Sequence, residues 1–438
     1  MSEFCLAKVI TVKLFLFSHS LEHALEKISI LTNKIQIEPQ VGLEIAITST
    51  MSANKQAAGH FDTLHEIDER YKLSETDIRL IHEPEFFGTR RIGVAIVGVG
   101  RMGAIHLYNV LREPRANVRY VLDASKERLA YMEKKYFLSE RGIKTLHTDH
   151  WKEVLEDKEV EAVMISTPTF THEQYARSAL EHNKHVLCEK PLAEKMESVD
   201  AVVKLAQSKN LKLICAFNRR YDPSFRKVAE QIRRGDIGEV RIIKTCCRDS
   251  PLPPIDYIKI SGGIYHDCCV HDIDVVLWYA NELPIEVHAY GHTYMPDYKA
   301  LDDFDTTVVC MKFASGILSV TDLSRVGPSG YEQRVEVFGP KGILKIDEMT
   351  RAGWEKHTEI GVTRPSQCFS FASRFQEAYS FEIAELFNHI EGNKVLHPIR
   401  HGYLQALCKV VHAIEHSARS GNPVKLDWTE EEIKSALN

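Results

Sequence analysis

The stretch that most limits the fold is Arg91 to Asp123, which begins RRIGVAIVGVGRMG and ends VRYVLD. Its first apolar segment, Ile92 to Val97, is typical of a buried parallel strand. A glycine-rich turn follows at once, and a segment typical of a helix comes next. This strand–turn–helix order predicts a unit that binds a dinucleotide.

The three glycines of the turn each have a physical reason. Gly98 permits the tight turn, Gly100 lets a pyrophosphate approach the backbone closely, and Gly103 lets the helix pack against the strand. Arg101 and Met102 open the helix, whose N-terminus offers free N–H groups and a partial positive charge to phosphates. We expect all five residues to contact the cofactor.

Asp123 ends the second predicted strand, 20 residues after Gly103. A carboxylate at this distance can accept both ribose hydroxyls of an adenosine, and it repels a 2′-phosphate. The sequence therefore predicts NAD rather than NADP as the cofactor.

Composition excludes several classes of partner. The 438-residue chain carries a net charge of −6, which gives no electrostatic basis for binding nucleic acid or an anionic membrane surface. No apolar run is long enough to span a bilayer. The ten cysteines include no CxxC pair, so reduced thiols in a cytoplasmic protein are favoured.

The chain divides into three parts by pattern. Residues 1–90 are expected to form a flexible or weakly docked N-terminal extension. Residues 91–217 alternate strands and helices, which predicts a doubly wound parallel sheet of the α/β class, the Rossmann arrangement. Residues 218–438 are rich in alternating β-branched strands joined by short turns, which predicts an α+β domain with a large, mostly antiparallel, open-faced sheet. A free sheet face of that size favours a homodimer or homotetramer.

A lysine follows the fifth predicted strand, in the segment Glu189-Lys190-Pro191. The proline restricts the backbone of Lys190 to an extended shape and so limits its orientation. An ammonium at the carboxyl end of a strand can hydrogen-bond a substrate hydroxyl and stabilise it as it loses its proton.

A second candidate group lies between Gly262 and Asp274. Asp267 and His271 are four residues apart and share one helical face. A carboxylate beside an imidazole predicts a general-base pair, in which the acid orients the ring and favours its protonated form. Two alternatives are a capping aspartate with a structural histidine, and zinc bound through His266, Asp267 and His271, whose spacing lacks a recognisable ligand set.

These motifs occur in one order with a threonine–proline turn, NRRYDP, DFDT, an SR pair and SGYEQR. The set resembles the glucose–fructose oxidoreductase, inositol dehydrogenase and rhizopine-catabolism family (Gfo/Idh/MocA), and its inositol 2-dehydrogenase branch in particular. The resemblance runs from about Arg91 to near the C-terminus.

The resemblance implies roles for individual residues. Lys190 is the lysine of the EKP motif, His271 is the proton acceptor, and Asp267 lies in the same active site. Arg220 and Tyr331 are implied to line the substrate pocket. Beside Lys190, four more residues are implied to lie near the nicotinamide end of the cofactor: Thr167, Pro168, His172 and Glu189.

The functional hypothesis is an NAD-dependent oxidation of a secondary hydroxyl in a cyclic polyol or sugar, as in inositol 2-dehydrogenases. Two alternatives stay open. One is a dihydrodiol or aldose oxidoreductase of the same family, and the other is a catalytically silent NAD-binding sensor.

Overall fold

The apolar run Ile92–Val97 forms the first strand, and all six of its residues are buried. It lies inside a sheet of six strands, whose neighbouring pairs are all parallel. The strands are β1 (Ile92–Val97), β2 (Ala116–Asp123), β3 (Lys144–His147), β4 (Ala162–Ile165), β5 (His185–Glu189) and β6 (Leu213–Ala216). Their order, β3-β2-β1-β4-β5-β6, is that of a doubly wound dinucleotide-binding sheet. The predicted Rossmann arrangement is confirmed.

The computed structural model describes residues 90–193, 195–347, 350, 352–393 and 400–437, and for His401 the backbone alone. The described residues belong to one compact unit. The expected extension over residues 1–90 lies outside them, apart from Arg90. No helix within these ranges has the length and apolar character that crossing a membrane requires.

Helices connect the strands of the first sheet. They are α1 (Arg101–Val110), α2 (Lys126–Tyr136), α3 (Trp151–Glu156), α4 (His172–Glu181) and α5 (Met196–Ser208). The sequence pattern predicts strands at 92–97, 118–123, 143–147, 161–166, 184–188 and 211–216 and helices at 102–112, 126–137, 150–157, 171–183 and 195–209. The structure agrees with each of these ends to within two residues. Apolar periodicity and caps explain this agreement: Ser125, for example, accepts a hydrogen bond from the backbone N–H of Arg128 and begins α2.

A second sheet follows in the chain. Its elements up to residue 346 are α6 (Pro223–Arg234), β7 (Ile242–Arg248), α7 (Ile255–Ile258), α8 (Val270–Ala280), β8 (Pro284–His292), α9 (Pro296–Ala300), β9 (Thr306–Phe313), β10 (Leu318–Ser324), β11 (Glu332–Gly339) and β12 (Gly342–Ile346). The chain continues with β13 (Lys356–Thr358), β14 (Gly361–Thr363), α10 (Phe371–Arg374), α11 (Gln376–Glu391), α12 (His401–Ser420), β15 (Val424–Lys425) and α13 (Glu430–Leu437).

Seven of these strands form one sheet in the order β12-β11-β7-β10-β9-β8-β15. Only β7 and β10 pair in parallel, so the predicted mostly antiparallel sheet is confirmed. In β9 buried and outward-facing residues alternate, which leaves one face of the sheet open. Tyr290, Val308 and Leu318 are exposed on that face.

The sequence pattern predicts one continuous helix over residues 265–279, and the structure differs from this prediction at the start. Tyr265–Cys269 is a π-helical turn, and α8 begins only at Val270. π-helical turns occur frequently at functional sites. This one carries Asp267.

Helix α11 returns to the first sheet late in the chain. Its Ile383, Leu386 and Phe387 are buried in one cluster with Ile92 and Val94 of β1. The two sheets are therefore linked by packing as well as by chain connection, and the carboxyl ends of β4, β5 and β6 lie close to the second sheet's helices.

Candidate active site

The glycine turn after β1 has the geometry that a pyrophosphate requires. Gly98 has a φ of +82°, which favours glycine. A Cβ atom on Gly103 would lie 1.8 Å from the carbonyl oxygen of Gly98, whereas one on Gly100 would meet nothing within 4 Å. The open space at Gly100, where α1 begins without a side-chain cap, leaves its N–H groups free for phosphate.

Asp123 ends β2 beside this turn. Its Oδ2 atom accepts a hydrogen bond from the N–H of Val99 at 2.7 Å, and Oδ1 accepts one from Ser125 at 2.8 Å. Each oxygen keeps a further acceptor position. The half-buried carboxylate can therefore accept ribose hydroxyls, so the turn and Asp123 together fit an adenine dinucleotide.

Two arginines surround the same turn. Arg128 donates from Nη2 to the carbonyl oxygen of Gly100 at 3.1 Å. The guanidinium of Arg101 lies over the rings of Phe371 and Tyr257, with centroid distances of 4.6 and 5.6 Å. Arg101 thus connects the glycine turn to the helices beside the second sheet.

His172 supports the loops near the expected nicotinamide position. Its Nε2 atom lies 2.8 Å from the carbonyl oxygen of Thr167, and its Nδ1 atom lies 2.8 Å from that of Pro191. The side chain is fully buried. Pro168 follows Thr167 in the loop that His172 holds. The structure thus places His172 between the loops after β4 and β5, where it can shape a cofactor site without facing it.

Lys190 and Asp267 meet directly. The Nζ atom of Lys190 lies 2.6 Å from the carbonyl oxygen of Asp267 and 3.2 Å from its Oδ1 atom. Both residues line one pocket with His271 and Tyr331. The three residues predicted to be catalytic are therefore brought together.

Three side chains hold the Asp267 carboxylate. Besides Lys190, Tyr257 donates to Oδ1 at 2.7 Å and Arg325 donates to Oδ2 at 2.9 Å. Burial alone would raise the pKa of Asp267, but the charges of Lys190 and Arg325 hold it well below its usual range. Asp267 is an anion with its hydrogen-bonding capacity largely used.

The expected pairing of Asp267 with His271 needs correction. The hydrogen bonds of the carboxylate go to Lys190, Tyr257 and Arg325, because charged donors attract it more strongly than a neutral ring does. His271 Nδ1 has no hydrogen-bond partner in the described structure. Burial, Lys190 and Arg219 lower the pKa of His271 well below its usual value, so its ring is neutral rather than protonated.

Tyr331 and Arg220, both expected in the substrate pocket, lie in different places. Tyr331 lines the pocket, but Arg220 does not. Arg220 makes a buried pair with Asp274, with three N–O distances of 2.8 to 3.0 Å, and its guanidinium lies 4.4 Å from the ring centroid of Tyr403. Its neighbour Arg219 lines the pocket instead and pairs with Asp272 at 2.9 Å.

Glu189 lines the pocket beside Lys190 and contacts a buried histidine. Its Oε1 atom lies 2.7 Å from Nε2 of His106, a residue of α1 with no exposed surface. The pair joins the start of the nucleotide-binding unit to the strand that presents Lys190.

Sequence reasoning missed three other residues of the site, Arg219, Tyr257 and Arg325, and only Arg325 carried a usable signal. Tyr257 lies on α7, a helix that the pattern did not predict. Arg325 continues the inward-facing series of β10, so an arginine at an inward position was a usable signal. Arg219 differs from Arg220 only by its direction, which no spacing rule decides.

Metal chemistry has no arrangement to support it in the described ranges. No group of three or more His, Cys, Asp or Glu side chains there is placed to hold an ion. His266 turns to Glu415, with Nε2 and Oε2 3.1 Å apart, rather than towards His271.

The fold and site define a dinucleotide-dependent oxidoreductase, and the sequence comparisons name its family. Residues 92–217 match the model of the oxidoreductase family with an NAD-binding Rossmann fold, and residues 225–345 match the GFO/IDH/MocA C-terminal domain. The chain belongs to the GFO/IDH/MocA family. It is an NAD-dependent oxidoreductase, as the sequence predicts.

Characterised relatives share most of their length with this chain. The myo-inositol 2-dehydrogenase of Thermotoga maritima is 33% identical over 305 residues, which cover 69% of this chain and 89% of the relative. The myo-inositol dehydrogenase structure from Corynebacterium glutamicum has a TM-score of 0.71 and 26% identity, and covers 77% of this chain and 100% of its own. The scyllo-inositol dehydrogenase of Lactobacillus casei, solved with NAD(H) and scyllo-inositol, has a TM-score of 0.69 and 25% identity, with coverage of 77% and 99%.

Proposed function

We propose that this enzyme oxidises a secondary hydroxyl of a cyclic polyol, with an inositol as the leading substrate. The observation that carries the proposal is the meeting of Lys190, Asp267 and His271 in one pocket. Relatives named as inositol dehydrogenases support the choice of substrate.

The cofactor position follows from the glycine turn. Gly98, Gly100 and Gly103 would hold the pyrophosphate with Arg101 and Met102 at the start of α1, as their conformations and open space support. Five more residues complete the proposed cofactor site: Asp123, Thr167, Pro168, Glu189 and Lys190. His172 would support it through its two loops. When bound, NAD⁺ supplies the acceptor for the hydride of the substrate.

Lys190 would bind the reacting oxygen. An ammonium has three N–H donors, and two of them are directed to Asp267. The third is available to hydrogen-bond the substrate hydroxyl and to stabilise negative charge on it as its proton leaves. Asp267 would orient Lys190 through these two contacts.

His271 would take the hydroxyl proton. A histidine must be unprotonated to accept a proton, and the lowered pKa of His271 keeps its ring unprotonated at neutral pH. Because Asp267 is an anion held by three donors, it is poorly suited to be the base. Tyr331 and Arg219 would bind the remaining hydroxyls of the substrate.

A substrate with an apolar face is the alternative, since aromatic side chains form part of the pocket wall: Tyr257, Tyr331, Phe371, Phe375 and Tyr379. Such a wall also suits the ring of a dihydrodiol or an aldose. An assay of NADH formation with each compound separates these substrates.

The test is NADH formation by the full-length protein with NAD⁺ and a panel of myo-inositol, scyllo-inositol, aldoses and a trans-dihydrodiol. We expect turnover of an inositol, with NAD⁺ favoured over NADP⁺. Faster turnover of the dihydrodiol or an aldose would replace the substrate assignment. Bound NAD⁺ without turnover of any compound would favour a sensor.

We further propose that the enzyme assembles as a homodimer or homotetramer through the open face of the second sheet. Tyr290, Leu318 and Val308 are 61%, 51% and 38% exposed there. Covering such side chains would remove apolar surface from water. Light scattering of the wild type and of a Leu318→Lys variant would test this surface.

A cytoplasmic location is part of the same proposal. All nine cysteines in the described ranges are free thiols, including the adjacent pairs 246–247 and 268–269. Reduced thiols are usual in the cytoplasm. We also propose that the chain divides into an NAD-binding domain (91–217) and a substrate-binding and oligomerisation domain (218–438).

A further inference from the structure

We propose that Arg325 is a positioning residue of this active site, which acts by fixing the carboxylate of Asp267. The inference rests on the proposed function, because the role of Asp267 there is to orient Lys190. Arg325 directly follows β10 and is distant in sequence from both residues.

The two oxygens of Asp267 have different partners. Arg325 donates from Nη1 to Oδ2 at 2.9 Å. Oδ1 accepts from Tyr257 at 2.7 Å and lies 3.2 Å from Nζ of Lys190. Arg325 thus hydrogen-bonds the carboxylate oxygen that Lys190 does not contact. This pair of contacts fixes the χ2 angle of Asp267.

Arg325 is paired with two carboxylates but makes fewer hydrogen bonds than a buried guanidinium can. Its side chain has no exposed surface, yet Nε and Nη2 have no hydrogen-bond partner in the described structure. Nη2 lies 3.9 Å from Oδ2 of Asp303, which is also unpartnered. A buried cation with unmade hydrogen bonds costs free energy. The nearer of its two carboxylate partners is Asp267, with Nη1 and Oδ2 2.9 Å apart.

The backbone around Arg325 holds the same place rigidly. Its N–H donates to the carbonyl oxygen of Asp305 at 2.9 Å. Asp303 lies two residues before Asp305, and its Oδ1 atom accepts a hydrogen bond from the N–H of Ile264 at 3.0 Å. Ile264 directly precedes the π-helical turn that carries Asp267. Hydrogen bonds therefore hold both the end of β10 and the start of that turn to the segment 303–305.

The consequence concerns Lys190. With Oδ2 held by Arg325, only Oδ1 and the carbonyl oxygen of Asp267 remain for the ammonium. One N–H of Lys190 is then left for the substrate. Without Arg325 the carboxylate can turn and offer both oxygens to Lys190, which would draw the ammonium away from the substrate.

The experiment compares R325M, R325K and D267N with the double variant D267N/R325M. R325M should lower kcat about 100-fold while the Kd for NAD⁺ stays near wild type, since a small misplacement of a reacting group costs about that much. R325K should recover most of the loss because one ammonium can replace the single donor Nη1. The double variant should lose no more than D267N, because Arg325 acts through Asp267.

The control is Arg115→Lys, which alters another buried arginine. Arg115 pairs with Glu113 at 2.8 Å and directly precedes the first residue of β2, whereas the site lies beyond the carboxyl ends of the strands. This variant should leave kcat unchanged. Losses in R325M and D267N that simply multiply in the double variant would overturn the proposal.

Crystal structures of the wild type and R325M separate this inference from the proposed function. A turned Asp267 carboxylate in R325M supports the inference even if no polyol is oxidised, in which case the proposed function alone fails. If R325M does not fold, R325K is crystallised in its place, and an unmoved Lys190 with kcat below a tenth of the wild-type value would reject the positioning role. In R325M, an Asp267 carboxylate in its wild-type orientation with full activity also rejects it.

Discussion

The Nζ atom of Lys190 lies 2.6 Å from the carbonyl oxygen of Asp267, although the two residues are 77 positions apart in the chain. One follows a strand of the first sheet, and the other lies on a π-helical turn beside the second sheet. Both residues line the pocket in which His271 also lies.

Replacing Lys190 by methionine should lower kcat by a factor of about 1,000 or more, because the donor to the reacting oxygen is lost. The Kd for NAD⁺, measured by fluorescence, should change by less than about threefold, since Lys190 is proposed to reach only the nicotinamide end and the glycine turn still holds the pyrophosphate. Lys184→Met is the matched control. Lys184 directly precedes β5 and is buried, whereas Lys190 is half-buried. Lys184 donates to the backbone carbonyls of Asp157 and Val160 and should affect stability only. Equal kcat in K190M and wild type would contradict the proposed role.

The pH dependence should reflect the lowered pKa of His271. Burial, followed by the charges of Lys190 and Arg219, disfavours the protonated ring. The base is therefore present at neutral pH and is lost only as the pH falls through this lowered pKa. We expect the acidic limb of kcat/KM to lie below 6.5, the ordinary pKa of histidine. An acidic limb above 6.5 would contradict the expected lowering of the pKa of His271.

Two glycines of the nucleotide turn should respond differently to alanine. At Gly100 the φ is −63° and the space is open, so G100A should change the free energy of unfolding by less than about 1 kcal/mol. It should nevertheless weaken NAD⁺ binding about tenfold, since the methyl group occupies the phosphate approach. G103A forces a contact of 1.8 Å with Gly98 and should destabilise the fold by about 2 kcal/mol or more. Calorimetry of both variants with and without NAD⁺ measures this, and unweakened binding in G100A would exclude the proposed phosphate position.

Neighbouring arginines provide a test of the substrate pocket. Arg219→Lys keeps a charge beside Asp272 but loses the planar fork, and we expect kcat/KM for the polyol to fall about tenfold. Arg220→Met breaks the buried pair with Asp274 and should cost about 3–5 kcal/mol of stability. At a temperature where R220M is folded, its KM for the polyol should match wild type. A larger KM effect in R220M than in R219K would restore Arg220 to the pocket.

The first sheet was predictable because its signals are local. The apolar run at Ile92, the glycine at 98 and the acid at 123 each act within one strand–turn–helix unit. The π-helical turn at Tyr265–Cys269 was not predictable, because its hydrogen-bond pattern depends on Asp303 and Arg325, which come later in the chain. Short elements such as α7 and α9 were missed for a different reason. Their few residues are too short to show a helical period.

By itself, the sequence determined the doubly wound sheet, the NAD site and the three residues of the candidate centre, because spacing and residue type act over short ranges. Only the tertiary structure decided how those side chains are used. It paired Asp267 with Lys190 and Arg325 rather than with His271, and it turned Arg219 rather than Arg220 to the pocket. The physical reason is that buried charges take the opposite charge that packing brings nearest, and packing between two sheets has no signature in the order of residues.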